Sequence, residues 1–103
     1  MNHFHRTTVS PDAALAEADA FFPTIGMKQT AAAARTRRFE GTVGEPAEAA
    51  TLDLSVRMEG GHYTFVEART SAQGESRLDR GVKNYFTRLH KMADPAHALS
   101  ASY

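Results

Sequence analysis

The chain contains neither cysteine nor tryptophan. Without cysteine it cannot form a disulfide, a thiolate nucleophile or a thiolate metal site, and this composition is typical of a reducing compartment. No apolar run approaches the roughly 18 residues of a membrane-spanning helix. The N-terminal residues 1–12 also lack the apolar segment of a signal peptide. We therefore expect a cytoplasmic protein that does not bind membranes.

A net charge is also absent, because 12 basic and 12 acidic side chains cancel at pH 7. Proteins that bind phosphate backbones by charge carry a strong positive field instead. Two local basic clusters occur, one comprising Lys28, Arg35, Arg37 and Arg38 and the other comprising Arg77, Arg80, Arg88 and Lys91. Since no aromatic stacking motif accompanies them, we expect solvated surface and no nucleic-acid partner.

The length of 103 residues is that of one domain with a single core. A content of 42% hydrophobic and 23% charged residues is typical of a globular protein that folds without a partner. No internal repeat or low-complexity tract divides the sequence. We expect one α+β domain over residues 1–94, followed by a C-terminal tail over residues 95–103.

A first helix is predicted over residues 11–22. Ser10 can cap free backbone N–H groups, Pro11 suits the first helical position, and Asp12 complements the positive end of the helix dipole. Pro23 then ends the helical pattern.

A second, longer helix is predicted over residues 75–93, ending before Asp94 and Pro95. Its apolar residues fall on one side of the helix: Leu78, Val82, Tyr85, Phe86, Leu89, Met92 and Ala93. In a chain this short, only a sheet offers a surface broad enough to cover such a stripe.

The segments outside the helices alternate between apolar and polar residues, which is typical of strands exposed on one face. Strands are predicted over residues 4–10, 27–31, 37–44, 51–59 and 62–70, with a loop over 44–50. The segment 27–44 has no glycine or proline at its centre, so it is either an open hairpin or one bent strand.

Gly60 and Gly61 predict a hairpin between the last two strands. With a two-residue loop, the pairs on the core face are Met58 with Tyr63, Val56 with Phe65, Leu54 with Glu67, and Leu52 with Arg69. An odd-numbered loop would turn Thr64, Val66 and Ala68 inward instead. We favour the even loop because Tyr63 and Phe65 are the larger apolar groups.

The element order is strand, helix, four strands and long helix, which predicts a curved antiparallel sheet packed on the C-terminal helix. As a pattern of elements, the chain resembles a reduced version of the Bet v 1-like (START-like) helix-grip proteins. The resemblance is carried by the first strand and Ser-Pro-Asp helix start, the turn FFPTIGM, the meander, and the helix RLDRGVKNYFTRLHKM. It implies binding of an apolar or lipid-like molecule between sheet and helix. TATA-binding-protein-like folds have a similar arrangement.

The candidate ligand-binding residues lie where the predicted sheet and long helix meet: Arg37, Tyr63, Phe65, Glu67, Arg69, Gly81, Val82, Tyr85 and Leu89. In the favoured register, Arg37, Glu67 and Arg69 point to the core side at its solvent boundary. They form either a pocket mouth that holds a carboxylate or phosphate, or an ion pair that closes the core. Gly81 leaves room beside the helix stripe, either for a ligand or for the close approach of a strand or a neighbouring chain.

Signatures of catalysis and metal binding are missing. His3 and His5 share one side of a strand but have no third ligand in view, so we expect surface imidazoles rather than a metal site. Neither G-x-S-x-G, H-E-x-x-H nor a glycine-rich phosphate loop occurs. We expect no enzyme activity and no cofactor.

Two functional hypotheses follow. The first is binding of an apolar or amphipathic small molecule between the sheet and the 75–93 helix. The alternative is a non-catalytic homo-oligomer, in its simplest form a homodimer, joined through a sheet edge or through Ala13, Ala16 and Ala20 on the first helix.

Overall fold

The structure is a computed structural model that describes residues 1–43, 47–71 and 76–93. Its elements are β1 (Asn2–Thr7), α1 (Pro11–Phe21), a short 3-10 helix (Phe22–Ile25), β2 (Met27–Ala32), β3 (Thr36–Val43), β4 (Glu48–Glu59), β5 (Tyr63–Thr70) and α2 (Arg77–Ala93). The predicted tail over 95–103 lies outside the described residues, as does part of the predicted 44–50 loop.

The strands form one antiparallel sheet in the order β1-β5-β4-β3-β2. Both helices pack on the same side, which we call the helix face and which carries Leu52, Leu54 and Val56. The opposite side, which we call the open face, carries Asp53, Ser55 and Arg57. The α+β prediction is confirmed. Among the described helices, none has the length and apolar character needed to cross a membrane.

Two strands begin or end more than one residue away from the predicted positions, and a choice left open by the sequence is settled. Strand β1 spans Asn2–Thr7 rather than 4–10. Within the segment 27–44, the described residues 27–43 form an open hairpin, because β2 pairs with β3 across residues 33–35. Strand β4 begins at Glu48, so the final residues of the predicted 44–50 loop are strand instead. Ala50 explains the extension, because it is only 4% exposed and joins the core opposite Gly41.

The beginning of α1 follows the predicted capping pattern. Ser10 is the N-cap, its Oγ accepts a hydrogen bond from the backbone N of Ala13 at 3.2 Å, and Pro11 occupies the first turn. The helix buries its Ala14, Leu15 and Ala18 side and continues into the 3-10 helix.

The apolar stripe of α2 lies on the sheet as predicted. Leu78, Val82, Tyr85 and Leu89 are fully buried in the common core. Met92 is the exception, because it is 42% exposed in the last turn of the helix.

A buried carboxylate ties the start of α2 to the rest of the protein. Asp79 accepts hydrogen bonds from Thr70 Oγ1 (2.8 Å), from Ser76 N (3.1 Å) and from Ser76 Oγ (2.6 Å), while its own N donates to Ser76 Oγ. This reciprocal Ser76–Asp79 pair is a capping box. His3 Nε2 lies 2.6 Å from Asp79 Oδ1 and links β1 to the same carboxylate.

The favoured register of the β4–β5 hairpin is wrong, and the odd-numbered alternative is correct. The loop comprises residues 60–62, so Glu59 pairs with Tyr63. Val66 and Ala68 therefore point to the helix face, where both are fully buried. Gly60 and Gly61 have positive φ angles of 63° and 72°, which glycine adopts without the steric cost that other residues incur.

The reason to favour the even loop is that it would turn the large side chains of Tyr63 and Phe65 toward the core. This reasoning fails because Phe65 is buried on the open face instead. The guanidinium carbons of Arg6 and Arg57 lie 5.0 and 4.5 Å from its ring centroid, and the Phe4 ring lies 5.6 Å away. Long arginine side chains cover the ring, so Phe65 is only 8% exposed without entering the core.

Candidate functional site

The nine predicted ligand-binding residues do not form one site. Val82, Tyr85 and Leu89 lie on the helix face, where packed side chains surround them. The Tyr85 ring centroid is 5.3 Å from that of Phe22, and its hydroxyl donates to the carbonyl of Ala14 at 2.7 Å. Burial raises the pKa of Tyr85 far above its ordinary value, and the charges of two nearby carboxylates add to the shift. This part of the predicted site is core.

The strand residues of the predicted site lie on the other side of the sheet. Tyr63, Phe65, Glu67 and Arg69 all face the open side, opposite to the expected direction, because of the odd hairpin register. Of these four, Tyr63 reaches a space beside α2, which it lines with His90 and Ala93 rather than with the predicted α2 residues.

Arg37 does point to the helix face, but two of its guanidinium nitrogens already have partners within the protein. Its Nε donates to both oxygens of Asp19 at 3.0 and 3.3 Å, and its Nη1 donates to the carbonyls of Ala33 and Thr36. The ion-pair alternative therefore describes Arg37 better than a ligand-binding mouth does.

A shallow concavity of about 400 Å³ lies between β2 and β5, and three of the predicted site residues line it together: Arg37, Glu67 and Arg69. Arg38 donates to Asp53 there at 3.0 and 3.1 Å, and Arg69 lies 3.7 Å from Glu67. Because the charges of each pair satisfy each other at an exposed surface, this concavity offers little unbalanced charge to a ligand.

A second space, of about 500 Å³, lies at the boundary between the sheet and the start of α2. We call it the helix cleft. It is lined by Ile25, Thr42, Ala47, Arg77, Arg80, Gly81 and Asn84. Of the predicted site residues, only Gly81 lies in it.

Gly81 allows a close approach between α2 and the 3-10 helix at the helix cleft. A Cβ atom built at Gly81 would lie 2.6 Å from Cδ1 of Ile25, closer than van der Waals contact allows. The missing side chain therefore lets Ile25 pack directly on the α2 backbone. The neighbour that uses the room at Gly81 is thus the 3-10 helix rather than a strand.

Arg77 and Arg80 are the charged groups of the helix cleft. Within the described part of the chain, neither is within ion-pair distance of a carboxylate. Every other arginine has such a partner: Arg6, Arg35, Arg37, Arg38, Arg57, Arg69 and Arg88. Among the described residues, no carboxylate therefore balances the positive charge of this cleft.

Sequence reasoning assigned these two arginines to a solvated helix face. The spacing of Arg77, Arg80, Gly81 and Asn84 is a signal that could have found them, because steps of three and four residues place side chains on one helix face. The sequence alone does not indicate that Ile25 lies opposite this face, since that contact joins distant elements.

The histidines do not assemble a metal site among the residues that the structure describes. His3 contacts Asp79, whereas the ring of His5 stacks on Phe86 with centroids 5.0 Å apart. Both imidazoles are partly buried by the helix side of the protein, so the expectation of surface imidazoles is wrong for this pair.

The pKa of Asp79 is subject to two opposing effects. Burial by itself would raise the pKa of its carboxyl, but the hydrogen bonds from Ser76, His3 and Thr70 lower this pKa below its ordinary value. The carboxylate is therefore held in its charged form as a structural group at the base of the first turn of α2.

The fold and the helix cleft together define a class: a small α+β protein with two helices on one face of a five-stranded antiparallel sheet and an arginine-bearing cleft beside the second helix. No model of a protein family matches the chain, and no curated protein matches it either.

Proposed function

We propose that this protein binds an amphipathic small molecule, without catalysis, in the helix cleft. The observation that carries the proposal is the cleft itself, a space of about 500 Å³ at the boundary of sheet and α2. Small-molecule sites typically have volumes of about 300 to 1,000 Å³. The site lies beside the start of α2 rather than beneath its middle, where the core is filled by side chains.

The lining of the helix cleft supports an amphipathic ligand. Ile25, Ala47 and the backbone at Gly81 offer apolar contact, whereas Thr42 and Asn84 offer hydrogen-bonding groups. A concave surface with an apolar part and a few polar groups is the usual composition of a ligand site.

The test is binding to the purified full chain, measured by native mass spectrometry and by thermal shift against a panel of amphipathic molecules. We expect a stoichiometric complex and a raised Tm. Gly81→Leu would collide with Ile25 and displace this part of the cleft lining, so it should abolish binding. Thr42→Trp, at an exposed strand position, obstructs the same cleft without altering the core.

Thr87→Trp is the matched control, because Thr87 is exposed on α2 outside the cleft. It should bind as the wild type does. Absence of binding to any member of the panel, or unchanged binding by both cleft variants, would contradict the proposal.

A second candidate function is self-association through β1. This edge strand exposes 55% of Phe4 on the open face, next to the ring of Phe65. An exposed aromatic side chain on an edge strand favours pairing with a second copy. Light scattering should then give a dimer mass that Phe4→Glu reduces to a monomer mass; a wild-type monomer at high concentration would remove this candidate.

A further inference from the structure

We infer that the ligand of the helix cleft carries an oxyanion head group, a carboxylate or phosphate, held by Arg77 and Arg80. This inference rests on the proposed function and names the ligand class of the same site. Guanidinium groups match carboxylates and phosphates in geometry as well as charge, because they donate parallel hydrogen bonds.

The first argument is the charge balance of the surface. The described arginines outside the cleft each contact a carboxylate, whereas Arg77 and Arg80 contact none within the described residues. Two cations that share one cleft raise its local potential and attract an anion to it.

The second argument is the position of these arginines on α2. Arg77 and Arg80 belong to the beginning of the helix, where positive side chains oppose the helix dipole. Asp79 is the acidic residue of that turn, but its carboxylate is buried and bound to Ser76, Thr70 and His3. A bound oxyanion would neutralise the positive charge of the cleft, which the buried carboxylate of Asp79 does not do.

The third argument is the arrangement of polar and apolar groups. Arg77 and Arg80 are three residues apart, so both line the same space, and Asn84 lies one turn further along α2 with amide donors. Ile25 and Gly81 supply apolar contact in that space. An oxyanion head with a short apolar tail fits both parts.

The experiment compares ligands that share one tail but differ in head group: octanoate, octyl phosphate, octanol and octylammonium. Isothermal titration calorimetry on the full chain should show binding of the two anions and not of octylammonium. The variant Arg77→Gln/Arg80→Gln should bind the anions more weakly, by about tenfold for each arginine removed.

The control is Arg35→Gln/Arg69→Gln, which removes the same charge from exposed positions outside the cleft. Its anion affinity should match that of the wild type. Equal weakening in both double variants would overturn the assignment, because a general charge effect would then explain it.

The outcomes separate this inference from the function on which it rests. If octanol binds as tightly as octanoate and the Arg77→Gln/Arg80→Gln variant is unaffected, the anion inference fails and the binding function stands. If none of the four probes binds the wild type, and the broader amphipathic panel also fails, the binding function itself fails.

Discussion

At the scale of single residues, Tyr85 shows how one polar atom is accommodated in the core. Its side chain is fully buried, and its hydroxyl donates to the carbonyl of Ala14 at 2.7 Å, which joins α2 to α1. We expect Tyr85→Phe to lower the free energy of unfolding by about 1 kcal/mol, because it removes one buried hydrogen bond and little packing. Urea denaturation measures this change.

Tyr63→Phe makes the same chemical change at a site that is 51% exposed. It should leave the free energy of unfolding within about 0.5 kcal/mol of the wild type. Similar losses in both variants would show that the contact with Ala14 does not contribute.

His5 makes the free energy of unfolding depend on pH in mild acid. Its Nε2 is buried and has no hydrogen-bond partner among the described residues. Burial lowers the pKa of His5 below 6.5, and the charge of His90 lowers it further. The unfolded chain therefore binds a proton more readily than the folded protein, and His5 destabilises the fold as the pH falls below about 6.5.

The measurement is the free energy of unfolding between pH 7.5 and pH 5. His5→Phe keeps a ring against Phe86 and should show a smaller loss of stability over this range. His62→Phe changes an exposed histidine in the β4–β5 loop and serves as the control. An unchanged pH dependence in His5→Phe would refute this account.

At the scale of elements, the start of α2 depends on one carboxylate. Asp79 closes the capping box with Ser76 and also binds Thr70 on β5 and His3 on β1. Because these hydrogen bonds involve a charged acceptor, we expect Asp79→Asn to lower the free energy of unfolding by about 2–3 kcal/mol at pH 7.

The pH dependence of this effect has a definite sign. The pKa of Asp79 is lowered from 3.8, so its stabilisation is present above about pH 4 and is lost as the pH falls through the folded-state pKa. The difference between wild type and Asp79→Asn should shrink accordingly in acid. Asp53→Asn, which breaks an exposed pair with Arg38, should cost less than about 1 kcal/mol at pH 7.

At the scale of the whole molecule, stability depends on the burial of the α2 stripe against the sheet. Leu89 is fully buried in the common core, whereas Met92 is 42% exposed on the next turn. We expect Leu89→Ala to lower the free energy of unfolding by about 3 kcal/mol, through lost burial and a cavity. Met92→Ala should change it by less than about 0.5 kcal/mol. Guanidinium denaturation compares the two, and equal losses would contradict this packing.

The helices and strands could be predicted from the sequence because capping residues and apolar periodicity involve only residues that are close along the chain. Ser10 and Pro11 specify the start of α1, and the apolar spacing of α2 specifies which side is buried. The candidate site was harder to predict, because Gly81 meets Ile25 only after the chain has folded. Arg77 and Arg80 stand out only by comparison with the other arginines, each of which pairs with a carboxylate, whereas these two pair with none in the described part of the chain.

The sequence by itself determined the order of strands and helices along the chain, the amphipathic face of α2 and the absence of thiol chemistry. These properties follow from periodicity and composition, which do not depend on how the elements pack. The tertiary structure alone decided the direction of Phe65 and the engagement of Arg37. In the hairpin, a shift of one residue exchanges the two faces, and arginine side chains can bury a ring outside the core. Arg37 reaches Asp19 across separate elements, so its partner follows from the packing of α1 on the sheet.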